Sequence, residues 1–235
     1  MVQVRLGRVM LVRFESAQTL APKRARVSRV LPPVSTGSSV DLMVAPTSFA
    51  RNEEIFGEGE PAEFVYKVEV GCIRTCNSFD DGRRHIGAFY LPGDFIALEA
   101  SKKHGCRAEA VIPSMVRAIN KNTLMARAAK SPALFKYLLD ITALELRRTQ
   151  NHTRLLLKSA QERVVSFLLE TASRDPRLTD IDLPMVRQDV ADYLGLTIET
   201  VSRVLSRLEC ASTISIRSRH CIVINNLSAL SRLNS

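Results

Sequence analysis

The sequence predicts an α+β fold: an N-terminal antiparallel β-roll, one long helix, and a C-terminal winged helix-turn-helix. Three observations predict it. Between residues 45 and 130, short apolar segments alternate with Gly, Pro and Asp turn signals, the pattern of a small antiparallel β architecture. From Ala133 to Asp175 neither proline nor glycine interrupts a helical spacing of apolar side chains. Residues 187–208 then place a small residue, a glycine and several aliphatics as two crossed helices require. The chain accordingly divides into an extension (1–44), a roll (45–130), a long helix (131–158) and a winged helix-turn-helix unit (159–235).

Residues 1–40 hold seven Arg or Lys against one acid, Glu15, so the rest of the chain carries only +3 of the net charge of +9. Pro22, Pro32, Pro33 and Gly37 with several serines show no periodicity, and 1–44 is expected to be disordered. Such an arm is a solvated tail, a phosphate-attracting arm or an upstream extension, with Met43 an alternative start. Its acid-poor, Arg-rich make-up also matches an organelle transit peptide. In Phe64-Val-Tyr-Lys-Val-Glu-Val70, positions 64, 66, 68 and 70 are apolar while 67 and 69 are charged, which predicts a strand with one buried face. Gly71 leads into a second strand, 72–76, and Asp81-Gly82 marks a hairpin into 84–90. Leu91-Pro-Gly-Asp94 breaks the chain, and 106–119 returns to short apolar segments.

Ser131-Pro132 supplies an N-cap and a first-turn proline, after which Leu134, Leu138, Ile141 and Leu144 follow helical spacing. Ser159-Ala-Gln-Glu162 reads as a capping box, which divides the stretch into helices at 132–157 and 160–173. The long helix is a candidate for pairing with a second copy of itself, although the polar run 145–153 interrupts a clean heptad.

Composition narrows the function classes. The 235 residues are 46% hydrophobic and 24% charged, enough to bury a core without staples. The apolar runs are too short to span a bilayer, and Arg5, Arg8 and Arg13 break up the only candidate secretory signal. Five cysteines without even spacing do not form a secreted disulfide framework. The expectation is a soluble protein of a reducing cytoplasm, with no membrane partner. His85, His104, His152 and His220 are scattered, with no nucleophile motif, phosphate loop or metal-protease helix, so no catalytic residues are assigned.

The segment 187–208 carries the chemistry. Ala191 is the small residue where two helices cross, Gly195 the turn, and Val190, Leu194, Leu196, Val201 and Val204 the apolar lock. Thr197 caps the second helix and Glu199 suits its dipole. Glu199, Ser202, Arg203 and Ser206 fall at i, i+3, i+4 and i+7, one polar stripe opposite the lock. An arginine bonds guanine O6 and N7 bidentately, a carboxylate accepts from cytosine N4, and a serine serves either role. An acid on a DNA-facing surface is repelled by phosphates unless it finds such a donor, so Glu199, Ser202 and Arg203 are the expected base readers. Thr197, Thr200 and Arg207 are expected to hold phosphates. Ile214-Ser-Ile216 and Ile222-Val-Ile224 flank Arg217-Ser-Arg-His220, a two-stranded wing whose tip, through Arg217 and Ser218, is placed to touch a phosphate.

This order of elements resembles the CRP/FNR family of transcription regulators over about residues 45–232. Leu194-Gly-Leu-Thr-Ile-Glu-Thr-Val-Ser-Arg203 looks like the reading helix of the FNR branch. The resemblance implies a cyclic-nucleotide-binding-like roll, a homodimer joined through helix 131–158, a palindromic double-stranded DNA site and recruitment of RNA polymerase. It also implies a TTGAT-N4-ATCAA operator, with Arg203 on the guanine and Glu199 on the opposing cytosine. Where cyclic-AMP binders carry Gly–Glu and Arg–Ser, this chain has Ala97-Leu98 and Arg107-Ala108, so cyclic nucleotide is not expected. Where iron–sulfur members hold their cluster, no cysteine precedes Cys72 and Arg117 replaces the last ligand. Cys72 and Cys76 on one strand would lie about 13 Å apart at ~3.3 Å per residue, too far to share a zinc. With His85, His104 and Cys106 the remaining metal-ligand types nearby, the expectation is buried reduced thiols and no cofactor or metal. Cys210 and Cys221 bracket the wing, where a redox role would need exposure and a lowered pKa.

Phe56-Gly-Glu-Gly-Glu-Pro61, Asp81-Gly-Arg-Arg-His-Ile-Gly-Ala-Phe89 and Ile181-Asp-Leu-Pro184 look like the FixK group, which keeps the FNR-like reading helix without cluster ligands. That resemblance implies an activator of micro-oxic respiration and nitrogen-fixation genes. The rival expectation is a ligand- or redox-gated sensor on the same scaffold.

Overall fold

The first half of the chain forms eight short strands: β1 (Thr47–Phe49), β2 (Glu54–Phe56), β3 (Phe64–Val70) and β4 (Ile73–Ser78), then β5 (Arg84–Tyr90), β6 (Phe95–Ile96), β7 (Arg107–Ala110) and β8 (Ser114–Asn120). They pair antiparallel into two four-stranded sheets, β1-β8-β3-β6 and β2-β7-β4-β5. The computed structural model describes residues 45–79, 82–174 and 179–234, which all fall in one unit. The extension 1–44, expected to be disordered, and Asp81 of the hairpin turn lie outside the described residues. Gly82 of that turn has φ +81°, and β5 pairs back on β4 from Arg84 opposite Ser78. Both sheets feed one core of Phe56, Val68, Ile73, Tyr90, Ile96, Ala108, Ala110 and Val116.

The alternation expected for 64–70 fails in β3. Val65 and Val68 are its buried residues and Val70 is 53% exposed. The cause is a bulge: Val68 pairs with Val116 and Val70 with Met115, so Glu69 is the extra residue and the period of two is lost. The outer face of this sheet is covered as well. Val65 and Ile119 pack with Leu124, Phe95, Leu98, Leu134 and Leu138. A strand covered on both faces keeps no simple polar–apolar rhythm.

The second half begins with α1 (Lys121–Ala128) and α2 (Pro132–Leu155), followed by α3 (Ala160–Ser173) and the short strand β9 (Asp180–Asp182). Then come α4 (Arg187–Leu194), α5 (Ile198–Cys210), the hairpin β10 (Ile214–Ile216) and β11 (Cys221–Ile224), and α6 (Leu227–Arg232). Ser131 caps α2 through Leu134 N–H, and both halves of the Ser159/Glu162 capping box are formed at α3. α1 and α6, of eight and six residues, are too short to show an apolar period in the sequence. Side-chain caps from Asn120 and Asn226 start them.

Helix α2 has two working faces about a third of a turn apart. Leu134, Leu138, Ile141, Glu145, Arg148 and His152 are half-buried and point at the rest of the chain. Glu145 accepts from Tyr90 Oη at 2.7 Å, Arg148 donates to Asp94 at 2.7 Å, and His152 Nε2 lies 2.8 Å from the Tyr193 carbonyl. The polar run that breaks the heptad therefore holds the helix to its own roll and helix-turn-helix. Phe135, Leu139, Thr142, Leu146, Thr149 and Thr153, spaced 4-3-4-3-4, are all exposed. Leu144, which shares the helical spacing of Leu134, Leu138 and Ile141, is 55% exposed.

Gly71 closes the turn between β3 and β4 at φ +94°. A Cβ there would lie 2.2 Å from Ser114 Oγ and 2.8 Å from Ser114 Cα. Ser114 cannot retreat freely, because its hydroxyl accepts from Cys72 N–H at 3.1 Å and donates to the Ile112 carbonyl at 2.6 Å. Gly71→Ala should therefore lose about 2–4 kcal/mol of stability, from left-handed strain plus overpacking. Urea unfolding checks this, and an unchanged midpoint would contradict it.

Candidate nucleic-acid interface

α4 ends at Gly195, whose φ of +61° and ψ of +40° turn the chain; its N–H and that of Leu196 both bond the Ala191 carbonyl. The turn needs glycine for its backbone angle, since a Cβ there would meet only ordinary contacts at 3.5 Å. Thr197 then caps α5 by accepting from Thr200 N–H at 3.2 Å, and the two hydroxyls lie 3.1 Å apart. Ala191 is fully buried at the crossing. Val190, Leu194, Val201, Val204, Leu205 and Leu208 fill one core with α3 and the wing, and Leu196 packs against it.

Burying that face leaves the opposite one in solvent. Glu199, Ser202, Arg203 and Ser206 are all exposed, and so is Arg207 one position on. Among the described residues no ion pair or hydrogen bond engages the Arg203, Arg207 or Arg217 side chains. The Glu199 carboxyl is held below the usual carboxylate range by its own backbone N–H, the Thr197 hydroxyl and the Arg203 charge. It therefore stays an acceptor near neutral pH, the state that a base amino group requires.

β10 and β11 pair with Ile214 opposite Ile224, and β9 joins as a third strand. Glu209, near the end of α5, accepts from Ile216 N–H at 3.0 Å and so ties the wing to the helix. At the tip, Arg217 N–H and Ser218 N–H both donate to the Cys221 carbonyl, and Ser218 Oγ accepts from His220 N–H. Arg217, Ser218 and Arg219 are exposed. Thr197, Thr200, Glu199, Ser202, Arg203 and Arg207 thus share one helix, while Arg217 and Ser218 sit on a separate loop anchored to it.

Two supports of this site are not visible in the motif. Arg163 of α3 donates to the carbonyls of Leu156 (2.6 Å), Lys158 (2.9 Å) and Leu194 (3.0 Å), so one guanidinium takes up free carbonyls at the ends of α2 and α4. Asp189 and Asp192 of α4 receive Arg74 and Arg84 from the roll. The acids i and i+3 on α4 are a visible signal; their partners, more than 100 residues away, are not.

Two arginines of the roll are already paired within the chain. Arg107, where a cyclic-nucleotide binder holds the phosphate, donates to Cys76 Sγ and Ser78 Oγ and lies 3.1 Å from Glu109. Ala97 adopts φ +65°, a conformation suited to glycine. Arg117 pairs with Glu69 at 3.0 Å. Among the described residues no three His, Cys, Asp or Glu side chains are placed to hold a metal ion, and no helix is long and apolar enough to cross a membrane.

Comparison with known proteins gives three consistent findings. Residues 162–233 match the Crp-like helix-turn-helix domain and residues 46–131 the cyclic nucleotide-binding domain. The nitrogen fixation regulation protein FixK of Azorhizobium caulinodans is 45% identical over 202 residues, 83% of this chain and 82% of that protein. FixK of Rhizobium meliloti is 33% identical over 187 residues, 79% of this chain and 85% of that one. The structure of FixK2 from Bradyrhizobium japonicum superposes with a TM-score of 0.78 at 42% identity, covering 81% of this chain and 97% of that chain.

The thiols differ in exposure: Cys72 and Cys76 are buried and Cys210 is exposed. Burial pushes Cys72 up to about 12 and Cys106 to about 11, and raises Cys76 against the opposing effect of Arg107. At pH 8 Cys72 therefore stays overwhelmingly in the unreactive thiol form. Cys210, exposed at the end of α5, has no such shield. Iodoacetamide at pH 8 should modify Cys210 first and reach Cys72 and Cys76 only in denaturant, as peptide mass mapping would read. Early labelling of Cys72 would contradict this.

Proposed function

The chain belongs to the CRP/FNR family, in its FixK group, and is a helix-turn-helix transcription regulator; on that premise we propose that it is an effector-independent activator reading a TTGAT-N4-ATCAA operator as a homodimer. The observation that carries the reading is the two-sided α5, with Val201, Val204, Leu205 and Leu208 buried and Glu199, Ser202, Arg203 and Ser206 offered to solvent. Arg203 takes guanine O6 and N7, Glu199 accepts from the opposing cytosine amino group, and Ser202 bonds a neighbouring base edge. Thr197, Thr200 and Arg207, with Arg217 and Ser218 of the wing, hold phosphates and set the register.

A palindrome needs two copies with half-site centres about 34–36 Å apart. The free face of α2 supplies the joint, since Phe135, Leu139 and Leu146, each more than half exposed, lie on a coiled-coil spacing continued by Thr142, Thr149 and Thr153. Once bound, the dimer recruits RNA polymerase. The names of the FixK relatives favour nitrogen-fixation genes as the targets, and the family resemblance adds genes of micro-oxic respiration. They are regulators, which points away from an enzyme. Arg107 paired with Glu109, Ala97-Leu98 in place of a ligand-holding pair, and Arg117 paired with Glu69 support independence from cyclic nucleotide and from an iron–sulfur cluster.

Titration against the palindrome should give the same affinity with and without cyclic AMP, reductant and chelator; an affinity that rises with any of them would favour a gated sensor. Arg203→Ala should cost about 1–3 kcal/mol at the operator and flatten discrimination at the guanine position, whereas Arg207→Ala should weaken all sequences alike and reduce the salt slope by about one. An unchanged sequence preference in the Arg203 variant would remove it from the base readers. Leu146→Asp should convert the dimer to monomer in sedimentation, and a persisting dimer would place the joint elsewhere.

A further inference from the structure

Where the roll meets α4, charged side chains make the directional contacts. Arg74 of β4, only 6% exposed, donates to Glu109 at 2.6 Å, to Asp189 at 3.0 Å and to Asn52 at 3.1 Å. Arg84 of β5 donates to Asp189 at 2.6 Å and to Asp192 at 2.7 and 2.9 Å. Asp189 is 2% exposed and uses both its oxygens, one for each strand's arginine. Gln188 donates to the other oxygen of Asp192 at 2.6 Å. With Arg107 on Glu109, three guanidinium groups meet three carboxylates, so the cluster is neutral.

Apolar contact across the same boundary, such as Phe89 on Tyr193 with ring centroids 5.4 Å apart, is tolerant of sliding. Charge-assisted bonds from planar guanidinium groups fix direction as well as distance. α4 has no side-chain N-cap of its own, and Asp189 stands in its first turn. The helix that carries the turn into α5 is therefore held at its start by the roll and at its end by Arg163.

We infer that Asp189 and Asp192 are positioning residues: with Arg74 and Arg84 they clamp α4 to the roll, so that α5 keeps one attitude with nothing bound in the roll. The inference rests on the effector-independent reading above and supplies its physical means. In a gated regulator, ligand binding selects the attitude of the reading helix; here four side chains of the chain itself hold it.

The test uses the full chain and two variants, Arg84→Glu and the charge swap Arg84→Glu/Asp192→Arg, which rebuilds a cation between residue 84 and Asp189. Operator affinity and amide hydrogen exchange in 84–90 and 187–194 are measured for each, with circular dichroism confirming the fold. Arg84→Glu should lose about tenfold or more in affinity, within the usual range of inter-site coupling. Its salt dependence should be unchanged and its exchange faster, and the swap should restore both affinity and protection. Wild-type affinity and exchange in Arg84→Glu would overturn the clamp, as would a folded swap variant that restores neither. A salt slope shallower by about one would instead make Arg84 a phosphate contact and also overturn it. Should the unmodified protein ignore the operator without added effector, the effector-independent reading fails. The exchange data then decide the clamp by themselves: protection lost in Arg84→Glu and regained in the swap upholds it, and protection unchanged throughout ends it.

Discussion

Everything this protein offers to a duplex depends on the burial of one face of α5. Val201, Val204, Leu205 and Leu208 are each almost wholly removed from solvent, and burying aliphatic side chains of this size contributes about 1.5–3 kcal/mol apiece. A helix of 13 residues has no such stability alone, so its orientation is set by where those four side chains go. The polar stripe follows as geometry: with 3.6 residues per turn, Glu199, Ser202, Arg203 and Ser206 have nowhere to point but outward. Gly195 and the Thr197 cap set where the helix starts, and Glu209 sets where the wing stands against its end.

The long helix solves a related problem. It is held by its own chain and, in the homodimer proposed above, leaves a face for another copy. Carboxylate, guanidinium and imidazole groups tie α2 to Tyr90, Asp94 and the Tyr193 carbonyl, while apolar and threonine side chains stand free about a third of a turn away. Directional bonds suit the inner contact, which has one correct geometry, and an apolar stripe suits a joint between identical surfaces. Stacking of His152 on Tyr193, with ring centroids 4.2 Å apart and planes within 1°, adds a third element to the same junction. Burial depresses the His152 pKa, outweighing the Tyr193 carbonyl, so the ring there favours its neutral form.

What the sequence makes legible is what depends on near neighbours. The capping box of α3 is visible because its two partners are three residues apart, and the helix-turn-helix because its lock, turn and cap span some twenty residues. The strand at 64–70 misleads because a bulge at Glu69 breaks its period and a helix covers its second face. The proposed seam on α2 is hidden for another reason: the apolar spacing of Leu134, Leu138 and Ile141 faces the chain's own roll, while the exposed stripe mixes Phe, Leu and Thr. Arg163 and the Arg74–Asp189–Arg84 cluster have no local signature, since their meaning lies in partners brought close only by folding.

The central claim is that Arg203 reaches a guanine through the major groove. Methylation of guanine N7 by dimethyl sulfate reports that contact directly, because N7 lies in that groove. On a fully occupied palindrome, the guanine of each TTGAT half-site should be protected while flanking guanines stay reactive. Half-site guanines that remain as reactive as in free DNA, at saturating protein, would contradict the account.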